Sequence, residues 1–283
     1  MEPTPPTARR ELGNLLRELR LGRELGLEAV ARRVDLTPGF LSRVERGLRG
    51  IGDDKAERLS EFYGLPPRVR ERVRQLAPIT RAKTWWETAP MARPTREYIG
   101  FEQAATAIMS YGSIVHGLLQ TQAYCEAMVG GTSITTPAEH TAATVERRLR
   151  RQEVLGRPEP PWVWIILDES ALHRTIGDPP TMRDQLLALL AATDRARVSV
   201  RIIPFSAGAH AGLDSRFTMV STRNDHAPEL VYVEGLSGAR TLFEAHDLAR
   251  YAEAWQALAA LALPDKDSRN LIGRTAHDTT TPM

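Results

Sequence analysis

The sequence predicts two domains: an all-α N-terminal domain and a mixed α/β (α+β) C-terminal domain with a small sheet of about four strands. The chain of 283 residues is long enough for a domain of roughly 60–70 residues followed by a larger one. Apolar residues recur at helical spacing in the first half, and four short β-favouring apolar runs follow residue 160. Helices followed by a small sheet with interspersed helices are typical of a mixed architecture.

The predicted boundaries follow the composition along the chain. Residues 1–8, which hold three prolines and two threonines, are expected to form a disordered arm. Residues 9–67 form the all-α domain, and residues 68–84 form a charged connecting helix that ends near a proline. The C-terminal domain covers residues 85–265, and residues 266–283 are expected to form a tail.

Two short helices separated by a tight bend are predicted within Leu27–Arg46. Their apolar faces consist of Val30, Ala31 and Val34 in the first helix and of Phe40, Leu41 and Val44 in the second. Thr37 supplies a capping hydroxyl to the second helix, and Pro38 occupies its first position. This pattern describes a helix-turn-helix, a motif that places its second helix in the major groove of DNA. An αα-hairpin that only packs is the structural alternative.

The segment Thr37–Gly47 resembles the recognition helix of the Xre family of DNA-binding domains. In that family, serine or threonine and a few variable residues precede an L-S-R-[IV]-E-x-G run, which here reads LSRVERG from Leu41. The resemblance implies sequence-specific binding of double-stranded DNA. The chain departs from the family at Gly26-Leu27, where serine or threonine followed by glutamine often contacts a phosphate. Arg20, Arg32 and Arg33 are the nearest replacements.

The candidate DNA-binding residues lie on and beside the second helix. They are Arg32, Arg33, Thr37, Pro38, Gly39, Phe40, Ser42, Arg43, Arg46 and Arg49. Arg43 is the candidate for a bidentate guanine contact, with an ion pair to Glu45 or a phosphate contact as alternatives. Arg46 and Arg49 are expected to contact phosphates, and Gly47 is expected to end the helix in the left-handed conformation.

The charge distribution agrees with DNA binding by the N-terminal part. Residues 1–83 hold 18 Lys and Arg against 12 Asp and Glu, whereas residues 84–283 hold 19 against 23. A basic N-terminal part followed by a mildly acidic C-terminal part favours binding of DNA phosphates through counterion release. It also predicts that the DNA affinity depends strongly on salt concentration.

The C-terminal domain is predicted to begin with helices and to continue with strands. A long amphipathic helix extends to about Met109, an extended segment covers 110–115, and a turn at 117–121 leads into a helix over 122–129. Further helices are predicted over 139–155, 168–174, 182–192 and 244–261. Strands are predicted over 162–167, 198–203, 217–221 and 230–234.

This part of the chain resembles the large domain of antitoxin-like transcriptional regulators of actinobacteria. The resemblance covers about Trp85 to Leu263 and lies in an ordered series of segments. They are Glu102–Ala105, Val115–Cys125, Arg147–Gln152, Leu167–Leu172, Gln185-Leu186 and Val231–Glu234. His116 stands where the family usually has proline, and Cys125 where alanine is usual.

The resemblance implies a partner-binding domain in a toxin–antitoxin-like system, whose partner is a small protein encoded by a neighbouring gene. The candidate partner-binding residues are His116, Gly117, Leu118, Leu119, Gln120, Arg148 and Arg151. The arginines of Arg147–Gln152 could instead form a solvated helix face or an accessory DNA contact. The expected assembly is a homodimer on a pseudo-palindromic operator.

No catalysis, cofactor or metal is predicted. Asp168-Glu169 follow a predicted strand, where carboxylates could serve acid–base or metal chemistry, but the favoured interpretation is helix capping and dipole complementarity at a first turn, which needs nothing more. The seven histidines show no metal-ligand spacing, no nucleophile elbow or P-loop occurs, and Cys125 is the single cysteine. No apolar run reaches the ~20 residues of a membrane span, so a cytoplasmic, nucleoid-associated protein is expected.

Three functional hypotheses remain. The first is a DNA-binding regulator whose C-terminal domain binds a small partner protein. The second keeps the DNA-binding domain and gives the C-terminal domain a pocket for a small-molecule effector. The third, which we regard as the weakest, is an enzyme with a DNA-targeting domain.

Overall fold

The computed structural model describes residues 3–132 and 138–279, except the side chains of residues 138–140. Pro137, which the sequence places just before the helix predicted over 139–155, lies outside the described residues. The chain divides into two compact units, Met1–Ala104 and Ala105–Met283. The predicted boundary at residue 85 therefore differs from the structural one.

The first unit is entirely helical, as predicted. Its helices are α1 (Pro5–Leu21), α2 (Leu27–Arg33), α3 (Pro38–Glu45), α4 (Asp53–Phe62), α5 (Pro67–Ile79), α6 (Trp85–Thr88) and α7 (Arg93–Glu102). Its core contains Leu12, Leu16, Val30, Leu41, Leu59 and Leu76. The predicted connecting helix is α5, which packs against α1 and α4 and so belongs to this core.

The N-terminal arm was predicted wrongly, because α1 begins at Pro5 and continues through most of it. Proline suits the first turn of a helix, where its missing N–H would have no partner. Pro5 and Pro6 are buried, and the Thr4 hydroxyl donates a hydrogen bond of 2.7 Å to the Gly100 carbonyl oxygen in α7. A Cβ on Gly100 would lie 2.3 Å from Pro6 Cγ. This close packing places α7 in the first unit.

The second unit contains a mixed sheet of six strands rather than about four. The strands are β1 (Ala107–Gly112), β2 (Trp162–Asp168), β3 (Val198–Ile203), β4 (Phe217–Ser221), β5 (Leu230–Gly235) and β6 (Gly238–Leu242), in the spatial order β3-β2-β1-β4-β5-β6. Strands β1, β2 and β3 are parallel, whereas β4, β5 and β6 continue the sheet with antiparallel pairing. Tyr111 on β1 is opposite Ile166 on β2 and Phe217 on β4.

Helices cover both faces of this sheet. They are α8 (Gln122–Thr132), α9 (Ala138–Arg151), α10 (Ser170–His173), α11 (Pro179–Ala192), α12 (Ala245–Leu261) and α13 (Asp265–Asp278), with 3₁₀ turns at Gly117–Leu119, Gln152–Gly156 and Phe205–Ala207. One core joins α8, α11 and α13 to β2 and β3. The other joins α12 to the opposite face of β1, β2, β4 and β5.

Two strands and two helices depart from the sequence predictions. The predicted long helix ends at Glu102, and Ala107–Met109 belong to β1, whose six residues are all buried. A short apolar run buried on both sides carries no strand alternation. The edge strand β6 is half-exposed and was missed. The predicted tail is largely α13, which buries Ile272 and Ala276.

Candidate functional site

Local capping interactions define both ends of the second helix-turn-helix helix, α3. The Thr37 hydroxyl accepts a hydrogen bond of 3.2 Å from the Phe40 N–H, as the predicted N-cap requires. At the other end, Gly47 has φ +68°. The Leu48 N–H donates to the Arg43 carbonyl oxygen at 2.8 Å, which closes the helix. Both predicted end signals are confirmed.

A buried ion pair holds α3 against α1. The Glu45 side chain is 3% exposed, and its two oxygens each lie 2.8 Å from a guanidinium nitrogen of Arg20. Arg20 also donates to the Leu25 carbonyl oxygen at 3.0 Å, and its hydrogen bond with Glu45 raises the pKa of Arg20. Glu45 therefore pairs with Arg20 and not with Arg43, and Arg20 is engaged inside the domain instead of replacing a phosphate anchor.

The outer side of the motif carries exposed cations. Arg32, Arg33 and Arg43 are exposed, and none makes a hydrogen bond or ion pair through its side chain within the described part of the chain. Arg46 is exposed as well, and its Nε donates to the Ser42 carbonyl oxygen at 3.2 Å. Three further predicted positions at the beginning of α3 are exposed, namely Thr37, Pro38 and Gly39. Cationic and polar groups thus share this side.

Phe40 is partly buried against the helical core, and two cations lie over its ring. The Arg49 guanidinium carbon is 4.8 Å from the ring centroid and the Lys55 ammonium is 5.0 Å from it. Cation–π contacts of this kind fix a flexible charged side chain in position. Phe40, which was predicted to contact DNA, therefore helps to position the charged side chains of Arg49 and Lys55. Lys55 was not among the predicted residues, since only the fold of the helical unit brings it next to Phe40.

In the second unit, polar side chains gather at the carboxyl ends of the parallel strands. Asp168, the last residue of β2, accepts hydrogen bonds from the Ser170 N–H at 2.9 Å and from the Ser170 hydroxyl. The buried His210 places Nε2 3.4 Å from the second Asp168 oxygen and accepts the Gly212 N–H at Nδ1. The two imidazole nitrogens therefore face the Asp168 carboxylate and the Gly212 N–H.

Glu169 also has structural partners. Its carboxylate accepts the Phe205 N–H at 2.6 Å and lies 3.4 Å from His173 Nε2. Together with the Asp168 contacts, these bonds support the interpretation that the two acids organise loops at the ends of β2 and β3.

A crevice of about 570 Å³ opens at this carboxyl edge. Its lining includes Tyr111, Asp168, Gly212, Arg216, Glu234 and Arg240. Burial and the nearby Asp168 charge raise the pKa of Tyr111 to about 12, so its hydroxyl stays protonated at neutral pH. Ligands of open α/β sheets commonly bind at this edge.

The two segments predicted to bind a partner meet in the structure. Arg148 and Arg151 of α9 lie next to Gly117, with Arg148 Cγ 3.6 Å and Arg151 Nη1 3.7 Å from the position of a Cβ there. His116 caps the turn by accepting the Leu118 N–H at 3.3 Å. Leu118, Leu119 and Gln120 are buried, so these three residues pack inside the unit and present no surface to a partner.

Residues 95–274 match the family model described as a domain of unknown function, DUF5753. This match covers more than half of the chain. The chain belongs to the DUF5753 family. Residues 11–73 match a helix-turn-helix domain model, HTH_31, in agreement with the geometry of α2 and α3. Neither a curated protein nor a solved structure matches the chain.

The helix-turn-helix match indicates that this DUF5753 protein is a DNA-binding regulator. Within residues 3–132 and 138–279, no helix is long and apolar enough to cross a membrane. The same described ranges hold no group of three or more His, Cys, Asp or Glu side chains arranged to bind a metal.

Proposed function

We propose that this DUF5753 protein is a sequence-specific, Xre-type and antitoxin-like transcriptional regulator. The observation that carries the proposal is the contrast between the two sides of α3. Its inner side is fixed by the Glu45–Arg20 pair, whereas Arg43 is exposed and has no side-chain partner in the described chain. A rigid helix with a free guanidinium suits readout of base edges in the major groove.

Arg43 is then the base-reading residue, and the surrounding cations bind the DNA backbone. Arg32 and Arg33 at the end of α2 and Arg49 and Lys55 over Phe40 contact phosphates, which position the domain without reading sequence. A homodimer places two copies of α3 about one helical turn (~34 Å) apart on a pseudo-palindromic site.

Replacing Arg43 by alanine is expected to weaken binding to the specific site by about 1–3 kcal/mol and to relax the preference at one base position. The reason is the loss of one bidentate base contact. Fluorescence anisotropy with the operator and with single-base variants of it measures both effects. Arg46→Ala is the matched control, since loss of a phosphate contact weakens binding to all sequences alike and lowers the salt slope by about 1. Unchanged specificity in Arg43→Ala would contradict the base-reading role.

The second unit is proposed to control DNA binding by taking up a small partner protein encoded by a neighbouring gene. The resemblance to antitoxin-like regulators supports this proposal, as does the meeting of the two predicted partner-binding segments at Gly117 and Arg151. The experiment is a binding assay on the DNA upstream of the protein's own gene, with and without that small protein. A partner that forms no complex, or that leaves DNA affinity unchanged, would count against this function.

A small-molecule-responsive regulator is the second candidate. The observation that favours it is the carboxyl-edge crevice, whose volume of about 570 Å³ suits a metabolite-sized ligand. The structural partners of Asp168 and Glu169 favour binding over catalysis at this place.

A further inference from the structure

The Tyr111 side chain is held firmly in the second unit, but its hydroxyl has no hydrogen-bond partner within residues 3–132 and 138–279. Tyr111 is 3% exposed, and its ring centroid lies 5.8 Å from that of His210 and 6.1 Å from that of Phe217. Strand pairing on both sides fixes its backbone. The hydroxyl of a buried tyrosine usually finds a partner inside the protein. Because Tyr111 lines the carboxyl-edge crevice, its hydroxyl is available to a ligand there.

Gly212 keeps this hydroxyl accessible from the crevice. A Cβ at position 212 would lie 2.2 Å from Tyr111 Cε1 and 2.8 Å from its hydroxyl oxygen. Any side chain there would therefore collide with the ring and crowd the hydroxyl. The Gly212 N–H donates to His210 Nδ1 at 3.2 Å, which holds the glycine in this position. Glycine is typical of places where backbone approaches another group this closely.

A hydrogen-bond acceptor lies near this donor. Asp168 lines the same crevice, and its charge contributes to the raised pKa of Tyr111, which keeps the phenol protonated at neutral pH. Ser170 and His210 hold the Asp168 carboxylate, a group that only accepts hydrogen bonds. A ligand hydroxyl suits both neighbours, because it can accept from Tyr111 and donate to Asp168. An anionic group would be repelled by the Asp168 charge, and an ammonium group has no lone pair to accept from Tyr111.

The charges around the rest of the crevice nearly cancel. Its lining holds three carboxylates, those of Asp168, Asp214 and Glu234, and two guanidinium groups, those of Arg216 and Arg240. Four serines add hydroxyl groups to this lining, whereas only two of its residues are aliphatic. Ligand pockets are more commonly lined by apolar side chains. This lining therefore suits a neutral ligand with many hydroxyl groups better than an apolar or strongly charged one.

We propose that the carboxyl-edge crevice binds a neutral polyhydroxylated molecule of monosaccharide or disaccharide size, with Tyr111 donating to one of its hydroxyl groups and Asp168 accepting from it. The volume of about 570 Å³ is sufficient for such a ligand. The role of this ligand as an effector rests on the proposed small-molecule-responsive function. The binding site itself rests on the arrangement of Tyr111, Gly212 and Asp168.

The test is saturation-transfer difference NMR on the full chain, with D-glucose, D-ribose and myo-inositol as probes. Succinate and putrescine serve as charged comparisons. We expect at least one of the three polyols to bind and neither charged compound to displace it. A direct binding measurement is needed, because sugars stabilise folded proteins in general through their exclusion from the protein surface.

Tyr111→Phe is expected to weaken polyol binding about three- to tenfold, which corresponds to the loss of one hydrogen bond. The variant should unfold at the same temperature as the wild type or higher, since it removes a hydroxyl without a partner in the described part of the chain. Tyr251→Phe is the matched control. Its ring packs against Phe217 with centroids 5.0 Å apart, but Tyr251 does not line the crevice, so this variant should bind polyols as the wild type does.

Three results would overturn the site. The first is binding of none of the three polyols to the wild-type protein, and the second is equal polyol affinity of wild type and Tyr111→Phe. The third is displacement of a bound polyol by succinate or putrescine, which would show that the crevice prefers a charged ligand.

DNA affinity, measured separately with and without the bound polyol, distinguishes this site from the regulatory function. Polyol binding that leaves DNA affinity unchanged would retain the site and count against its effector role. An absence of polyol binding, with partner-dependent DNA binding intact, would retain the regulator and remove the site.

Discussion

Replacing Glu45 by alanine is expected to destabilise the N-terminal helical unit by about 3–5 kcal/mol, because Arg20 would be left buried without its counter-charge. Two hydrogen bonds of 2.8 Å join these side chains, and Glu45 is 3% exposed. Since the pair fixes the end of α3 to α1, DNA binding should be lost as well. Urea unfolding followed by circular dichroism and by the fluorescence of Trp85 and Trp86 measures the change.

Two variants make this expectation specific. The exposed Arg72–Glu11 pair has a contact of 2.7 Å, yet Glu11→Ala should cost less than about 1 kcal/mol because solvent screens the charges. The double variant Arg20→Met/Glu45→Leu should recover most of the stability, since apolar side chains can replace a buried pair. Equal costs for Glu45→Ala and Glu11→Ala would show that the pair contributes nothing through its burial.

Gly13→Ala is expected to destabilise the same unit by about 3 kcal/mol, at the upper end of the cost of overpacking. A Cβ at Gly13 would lie 2.5 Å from the Val44 carbonyl oxygen and 2.8 Å from that of Glu45. Both contacts are with backbone, so relief requires α1 and α3 to move apart. The midpoint of urea unfolding measures the cost, and DNA affinity reports the displacement of α3.

The matched control is Gly39→Ala, at a position in α3 where a Cβ meets nothing within 4 Å. In a helix, alanine is favoured over glycine by roughly 0.5–1 kcal/mol, so this variant should be as stable as the wild type or more stable. If Gly13→Ala were equally harmless, the close approach of α1 and α3 would have no energetic consequence.

Local signals explain why the helix-turn-helix could be predicted. The Thr37 cap and the left-handed Gly47 act on neighbours within a few residues, so their effects can be predicted from the sequence. The partner of Glu45 could not be predicted in the same way. Arg20 lies 25 residues earlier in the chain, and only the packing of α1 against α3 selects it over Arg43.

The sheet shows the same distinction. Each of four predicted strands contains enough β-favouring residues to be recognised as a strand without its neighbours, and all four are strands in the structure. They are the runs over 162–167, 198–203, 217–221 and 230–234. The first half of β1 was read as the end of a helix and its second half as the start of an extended segment, because pairing on both sides buries all six of its residues without alternation. The edge strand β6 depends on its pairing with β5.

The helix-turn-helix, its caps and the alternation of helices and strands in the C-terminal unit could be predicted, because these features depend on side chains close together in the chain. Which charged side chains are paired and which are exposed depends on how the helices and strands pack. Burial assigns Glu45 to Arg20 and Asp168 to His210, and it leaves Arg148 facing neutral atoms. Exposure leaves Arg43 available for DNA. Electrostatic roles follow from three-dimensional proximity and desolvation, which spacing along the chain does not encode.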